Sequence, residues 1–369
     1  MASAGRPESI NPQMASAVAK QRCPRGMDGK RMARLNGPGV RRDDPPAVPG
    51  FSTRGFSGAS DIPKIVHIMN ESWAADLSDI VITSDELIES YAHPQNFDPR
   101  KDLLLAEVDR ELIGVGSVTW SDRRGDIRVY KHQAHLLPQW RGLGIRHYML
   151  RKNEARLREI AKSEVADKKS IFEVWTNMET NHWKSVLESS GYEPAWYVFE
   201  MIRSLDEDIT ALPLPEGIEV RPVDSENYRA VWDAAKEALR DEREYSDERW
   251  SDTSYGLFIR SRKFTPELFQ IAWAGDEVVG GVHNFIDEEE NAQLNRAWGH
   301  TEEIFVRQPW RRRGIARALI AGSLNVLKDR GIEYATLDVD AENPSGALRL
   351  YESVGYKCDK RFVFYRKPL

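Results

Sequence analysis

The chain has 369 residues, more than a single hydrophobic core usually spans, so two domains are expected. Its composition, 41% apolar and 30% charged, is that of a globular protein, and no apolar run approaches the roughly 20 residues of a membrane-spanning helix. A net charge of -6 argues against nucleic acid as the main partner, because phosphate-backbone binding needs clustered Lys and Arg. The two cysteines, Cys23 and Cys358, provide neither a zinc site nor a disulfide framework, so no metal and a reducing, cytoplasmic setting are expected.

Residues 1–50 are rich in Pro, Gly and Arg, as in Pro24-Arg25-Gly26 and Asp44-Pro45-Pro46, and show no apolar period. They read as a disordered basic tail, with a nucleic-acid-binding or targeting arm as the alternative. No apolar stretch of roughly 7 to 15 residues makes a signal peptide there. Met14 and Met27 leave the translation start open.

From Phe51 onward one pattern occurs twice. Leu103 to Gly116 and Phe269 to Val282 each read as two strands around a tight turn, Gly275-Asp276 in the second case. Each hairpin leads to another strand, a basic Gly-containing turn and a long amphipathic helix, Ile145 to Ala161 and Ile315 to Arg330. A β-rich segment follows (Ile171 to Thr176, Tyr334 to Val339), then a short helix and a Gly-Tyr pair, Gly191-Tyr192 and Gly355-Tyr356. Leu212-Pro213-Leu214-Pro215-Glu216-Gly217 has linker punctuation. The division expected is therefore 51–205, a linker at 206–217, and 218–369. Each half should begin with a strand and a helix: Phe51 to Ser57 with Ile62 to Trp73, and Ile218 to Pro222 with Asp224 to Leu239.

The chemistry centres on Arg311-Arg312-Arg313-Gly314-Ile315-Ala316, where a strand ends in a turn that opens a helix. A helix start carries unpaired N–H groups and a partial positive charge, which together attract an anion such as phosphate. Gly314 and Ala316 are small enough to let a pyrophosphate reach those amides. With Asn343 and Tyr351-Glu352-Ser353-Val354-Gly355-Tyr356 downstream, the stretch resembles the GCN5-related N-acetyltransferase (GNAT) superfamily, whose signature of Arg or Gln, two residues, Gly, one residue, Gly or Ala is met by Arg311, Gly314 and Ala316. The resemblance covers the second half and, more loosely, the first. It implies an α/β fold of two tandem GNAT-like domains, each a mixed sheet flanked by helices.

The resemblance also implies acetyl-CoA as co-substrate, its pantetheine arm lying along Ile304, Phe305 and Val306 and its pyrophosphate on the 311–316 backbone. A primary amine of a small molecule or peptide would attack the thioester directly, with no nucleic acid or membrane as partner; the oligomeric state stays open. Such chemistry needs a base, an oxyanion donor and an acid for the thiolate. Tyr351 stands where the family often places its acid, with helix packing as the alternative. Alternation along the strand puts His300, Glu302, Ile304 and Val306 on one face. Glu302 is the first choice of base, His300 the second and Asp338 the third. Asn343 is either a cofactor contact or an ordinary turn residue. A non-catalytic acyl-CoA-binding or sensory protein is the competing class.

In the first half, Arg141-Gly142-Leu143-Gly144-Ile145-Arg146 aligns with the signature, but Arg146 stands where Gly or Ala is required and should crowd a pyrophosphate. Counting from the Gly-Tyr pairs sets Leu187 opposite Tyr351. Counting from the loops sets His132 opposite Glu302 and Tyr130 opposite His300. The first half is therefore expected to be degenerate, a frame for the second. The carboxylates and aromatics of Arg240 to Phe264 are read as acceptor-pocket material or a solvated helix face, and Asp287 to Glu290 as a turn between strands.

Overall fold

The structure is a computed structural model that describes residues 44–163, 168–261, 263–343 and 345–369. The expected disordered tail falls largely on residues 1–43, outside the described residues. Residues 44–50 are described: Val48 packs on the core, and the Phe51 amide donates to its carbonyl at 3.1 Å.

The first half runs β1 (Phe51–Arg54), α1 (Ile62–Ala75), α2 (Ser84–Ala92), α3 (Pro99–Asp102), β2 (Leu103–Val108), β3 (Glu111–Arg123), β4 (Ile127–Leu136), α4 (Ile145–Ser163), β5 (Lys169–Asn177), α5 (Asn181–Ser189) and β6 (Glu193–Ser204). The second runs β7 (Glu219–Arg221), α6 (Tyr228–Ala238), α7 (Asp252–Phe258), β8 (Gln270–Ala274), β9 (Glu277–Phe285), α8 (Glu288–Leu294), β10 (Trp298–Val306), α9 (Ile315–Asp329), β11 (Tyr334–Asp340), α10 (Ala347–Ser353) and β12 (Lys357–Pro368). One expectation fails here: Asp287 to Glu290 is not a turn. Asp287 caps α8 by accepting from the Glu290 amide at 3.0 Å, and three glutamates fill the first turn, where the helix dipole favours negative charge.

All twelve strands form one sheet, ordered β1-β2-β3-β4-β5-β12-β6-β11-β10-β9-β8-β7. The two halves exchange their last strands. β6 lies antiparallel to β11 from Ser204↔Tyr334 to Val198↔Asp340, while β12 lies antiparallel to β5 from Phe362↔Asn177 to Pro368↔Ile171. The cores follow the exchange: Val363 and Tyr365 of β12 are buried with α4 and β5, and Met201 of β6 is buried with α9 and β11. Each half has helices on both faces. On one face of the second half, α9 buries Ile315, Leu319, Ile320, Leu324 and Leu327, a stripe at helical spacing; on the other, Trp232 of α6 packs with Trp250 and Phe305.

Candidate active site

β10 and β11 run parallel but pair only from Trp298↔Tyr334 to His300↔Thr336. Beyond His300 the strands part. β9 holds one edge of β10 at Phe305↔Gly281 and Val306↔Gly280, so the opposite edge of Ile304 to Val306 faces the fork without a ladder partner. Apart from Val306 O, which accepts from Arg311 Nε, backbone groups placed this way need a partner from elsewhere, such as an extended amide-bearing chain.

The expectation that His300, Glu302, Ile304 and Val306 share a face is not met. A β-bulge lies between Glu302 and Phe305, with Glu303 at φ 44°, and the inserted residue reverses the facing of everything before it. Ile304 and Val306 pack on the core beneath α9. Thr301 points the same way, its hydroxyl 2.9 Å from that of Tyr356. His300 and Glu302 therefore face the other side, where the His300 ring stacks on Phe285 with centroids 4.5 Å apart.

After β10 the chain makes a 3-10 turn at Gln308–Trp310 and enters α9 with Gly314 as N-cap at φ 86°. Arg312 adopts φ 63°, a conformation strained for a side-chain-bearing residue. No side chain caps α9, so the leading amides of Ile315, Ala316 and Arg317 find no partner within the helix. A Cβ built on Gly314 meets nothing within 4 Å, so the space around that backbone is open. The arginines have their own tasks. Arg311 donates to the carbonyls of Val306 (3.0 Å) and Ala238 (2.8 Å), tying the loop to the end of α6. Arg313 donates to Pro309 O at 3.1 Å and lies over the Trp310 ring, whereas the Arg312 side chain is exposed. Asn343 Oδ1 accepts from the Ser345 amide at 2.9 Å, a turn role.

Tyr351, on α10, is buried, and its hydroxyl makes no hydrogen bond to any described residue. Burial and then the nearby Glu242 carboxylate push the phenol up, which keeps it protonated at neutral pH. Glu302 and Asp338 are solvent-accessible yet enclosed in a cleft. Loss of hydration raises both: Glu302 with His300 opposing and Glu303 adding, Asp338 to about 7 with help from Glu200 and Glu302. His300 Nδ1 lies 3.0 Å from Thr336 Oγ1, and its Nε2 lies 3.4 Å from Glu290 Oε1. The cleft thus brings His300, Glu302 and Asp338 together, and Tyr351 is grouped instead with Glu242. Glu242 is itself pushed up to about 7 by enclosure and then by Glu303, which is ion-paired with Arg249. The sequence shows Glu242 and Glu303 only as members of acidic runs. The region they occupy is no freely solvated helix face: Arg243 meets Asp340 at 2.7 Å, and Glu244 and Asp241 meet Arg123 and Arg124 of the first half at 3.0 and 2.8 Å.

The first half repeats the loop geometry, with Gly142 and Gly144 both at φ 80°, and Arg141 donates to Ser72 O at 3.2 Å as Arg311 does to Ala238 O. Arg146 does not crowd the outside of this loop. It turns inward, is 3% exposed, and donates to Ala134 O at 2.7 Å and to Asp76 at 2.7 Å while lying over the Trp183 ring. Counted from the loops, Ala134 stands where Ile304 stands in the second half, so the guanidinium holds the strand edge that the fork leaves free there. The Gly142 amide is taken by His182 at 3.3 Å.

The counting that set His132 opposite Glu302 is also corrected. β4 pairs with β3 without a bulge, so upstream of the Glu303 bulge the correspondence slips by one residue. His132 matches Thr301: its Nε2 lies 2.7 Å from Tyr192 Oη, as Thr301 meets Tyr356. Burial pushes His132 down to about 4. Gln133 and Lys131 then stand opposite Glu302 and His300.

With this geometry in view, the relatives are informative. Residues 232–356 match the model of the acetyltransferase (GNAT) family. A mycothiol acetyltransferase of Thermobispora bispora is 30% identical over 184 residues, 48% of this chain and 59% of that protein. N-alpha-acetyltransferase 30 of Homo sapiens is 28% identical over 171 residues, 44% of this chain and 45% of that one. The chain thus spans about half the length of these curated relatives. A GCN5-related N-acetyltransferase from Sphaerobacter thermophilus superposes with a TM-score of 0.65 at 24% identity, covering 88% of this chain and 97% of that one. The family match thus falls within the second half, and the fold of the chain is the tandem GNAT-like one. Among the described residues no helix is long and apolar enough to cross a membrane, and no three His, Cys, Asp or Glu side chains gather as a metal site would require.

Proposed function

We propose that the chain is an acetyl-CoA-dependent N-acetyltransferase acting on a primary amine of a small molecule or peptide in a cytoplasmic setting. Residues 218–369 would be the catalytic half, 206–217 the connector and 51–205 a frame. The observation carrying this reading is the fork between β10 and β11 leading straight to the uncapped start of α9. A pantetheine arm fits along Ile304, Phe305 and Val306, and a pyrophosphate fits on the amides from Arg312 to Ala316. The relatives named as acetyltransferases support the same chemistry.

In the reaction an ammonium group loses its proton to a carboxylate of the cleft, Glu302 or Asp338, directly or with His300 between. The amine nitrogen then bonds to the thioester carbon, and the C–S bond breaks. Tyr351, protonated and without a hydrogen bond to any described residue, gives its proton to the departing thiolate, and the second proton shed by the nitrogen as the amide forms restores the phenol. The first half lacks the means: Arg146 fills its strand edge, Leu187 replaces the phenol, and Gln133 and Lys131 stand opposite Glu302 and His300.

Thioester consumption with acetyl-CoA across an amine panel tests this, comparing wild type with Tyr351→Phe, alongside calorimetric titration of acetyl-CoA. Turnover with one equivalent bound is expected. Cofactor binding with no turnover on any amine would return the chain to the acyl-CoA-binding class, and two equivalents bound would refute the division of labour.

A further inference from the structure

A cavity of about 1020 Å³ lies between the two halves and is built by both. That is at the upper end of small-molecule sites, which run from roughly 300 to 1,000 Å³. One wall is aromatic and belongs to the second half: Trp232 and Trp250 have ring centroids 4.6 Å apart, with Phe258 5.4 Å from Trp232. The facing wall belongs to the first half, where the rings of Tyr91 and Phe97 lie 5.5 Å apart. At its edge the halves touch through Gln95 Nε2, which donates to Ser254 Oγ at 3.1 Å. The cavity reaches the reaction cleft, because His283 and Glu303 line it and His283 is the cross-strand partner of Glu302.

Two lining residues have unused hydrogen-bonding capacity. Trp232 is 8% exposed and His283 4%, yet Trp232 Nε1 and both ring nitrogens of His283 have no partner among the described residues. Buried polar atoms are rarely left this way. Burial pushes the imidazole down to about 4, so it is neutral and can either donate or accept. Polar side chains such as Glu89 and Arg260 also line the cavity, but apolar surface predominates, and a polyhydroxylated ligand would leave it without an apolar partner. A flat apolar body with one or two polar groups suits both the walls and the orphaned nitrogens.

We propose that this cavity binds the body of the acceptor, and that the acceptor is a primary amine carrying an aromatic body, its amine in the cleft of Glu302 and its ring between the walls of the two halves. This rests on the acetyltransferase reading above and assigns the first half a substrate-binding wall.

The test uses the full chain with phenethylamine and, as the polar competitor, glucosamine. Acetylation is followed at saturating acetyl-CoA, and amine binding without acetyl-CoA by the fluorescence of Trp232 and Trp250. Phenethylamine is expected to exceed glucosamine at least about tenfold in kcat/KM, and Tyr91→Ala and Phe97→Ala to raise its KM about tenfold while leaving the KM for acetyl-CoA unchanged. Melting curves establish that the part-exposed positions leave the fold intact. Glucosamine preferred over phenethylamine, no fluorescence response, or an unchanged KM in both variants would each overturn the proposal. Phenethylamine bound in a Tyr91-dependent way but never acetylated would sink the acetyltransferase reading and leave the binding site standing.

Discussion

The sharpest test of the anion loop is a matched pair of glycine substitutions, Gly314→Ala and Gly331→Ala. Both glycines are left-handed, at φ 86° and 78°, and a Cβ built on either meets nothing within 4 Å. The backbone penalty is therefore the same for each, about 1–2 kcal/mol for an L-residue held in that region. Only their surroundings differ. Gly314 opens α9 beside amides with no partner, whereas Gly331 closes the same helix, its own amide donating to Lys328 O at 2.9 Å.

A methyl group on Gly314 would stand between those amides and a pyrophosphate. Loss of one hydrogen bond to a charged oxygen is worth about 1.5–3 kcal/mol, roughly a ten- to hundredfold weakening of binding. Urea unfolding should show similar stability losses in both variants. Calorimetric titration with acetyl-CoA should show weakened binding in Gly314→Ala alone, and pantetheine, which lacks the pyrophosphate, should bind both equally. Equal loss of acetyl-CoA affinity in the two variants, or none in Gly314→Ala, would refute the assignment of the pyrophosphate to this loop.

Tyr351→Phe removes the proton donor without disturbing the packing, so kcat should fall roughly a hundred- to ten-thousandfold with acetyl-CoA affinity unchanged; an unchanged kcat would dismiss Tyr351 as the acid. Activity should fall as pH drops through about 7, because Asp338 and Glu242 take up protons there and a base must be ionised. Among Glu302→Gln, Asp338→Asn and Glu242→Gln, the variant that flattens this acid limb identifies the base, and a wild-type profile level down to pH 5 would exclude Asp338 and Glu242. Arg146→Met leaves Asp76 buried with only Arg141, 3.0 Å away, as its cation, so urea unfolding should register a loss of about 3 kcal/mol, at the low end for a broken buried pair. The fragment 206–369 lacks β6, so β11 loses its partner along seven registered residues, and gel filtration should find the fragment aggregated or strand-swapped; a folded monomer would contradict the exchange.

Local features were readable where a physical requirement is written in a few adjacent residues. The turn into α9 is marked by Gly314, whose left-handed backbone the structure bears out, and the long helices by their apolar stripes. Even α8 carries its signal, an Asp cap followed by three glutamates, but acidic runs suit loops equally well. The exchange of β6 and β12 had no such mark. Strand pairing is a relation between distant segments, and Glu193 to Ser204 alternates in the same way whichever neighbour it meets. The bulge was hidden for a related reason: one extra residue in Thr301-Glu302-Glu303 leaves composition unchanged while reversing two candidate bases. The slip shows in the strand registers and in the matching pairs Thr301–Tyr356 and His132–Tyr192.

On the proposed division of labour, the exchange also bears on why a first half without chemistry would persist. Because β12 completes the core over α4 and β6 completes the core under α9, neither core is whole without residues from the other half. A substitution that ruins cofactor binding in the first half is then harmless so long as it keeps that half folded. Arg146 satisfies this condition: it occupies the strand edge a cofactor would need and secures it with Asp76, His182 and Trp183. On that reading the surface around α2 has no catalytic task and is shaped by what lies opposite. There it presents Tyr91 and Phe97 to Trp232 and Trp250 across the cavity. On the proposed reading the first half thus lends a wall to the acceptor side of the second, and the residues that fill its own strand edge leave its scaffold free to do so.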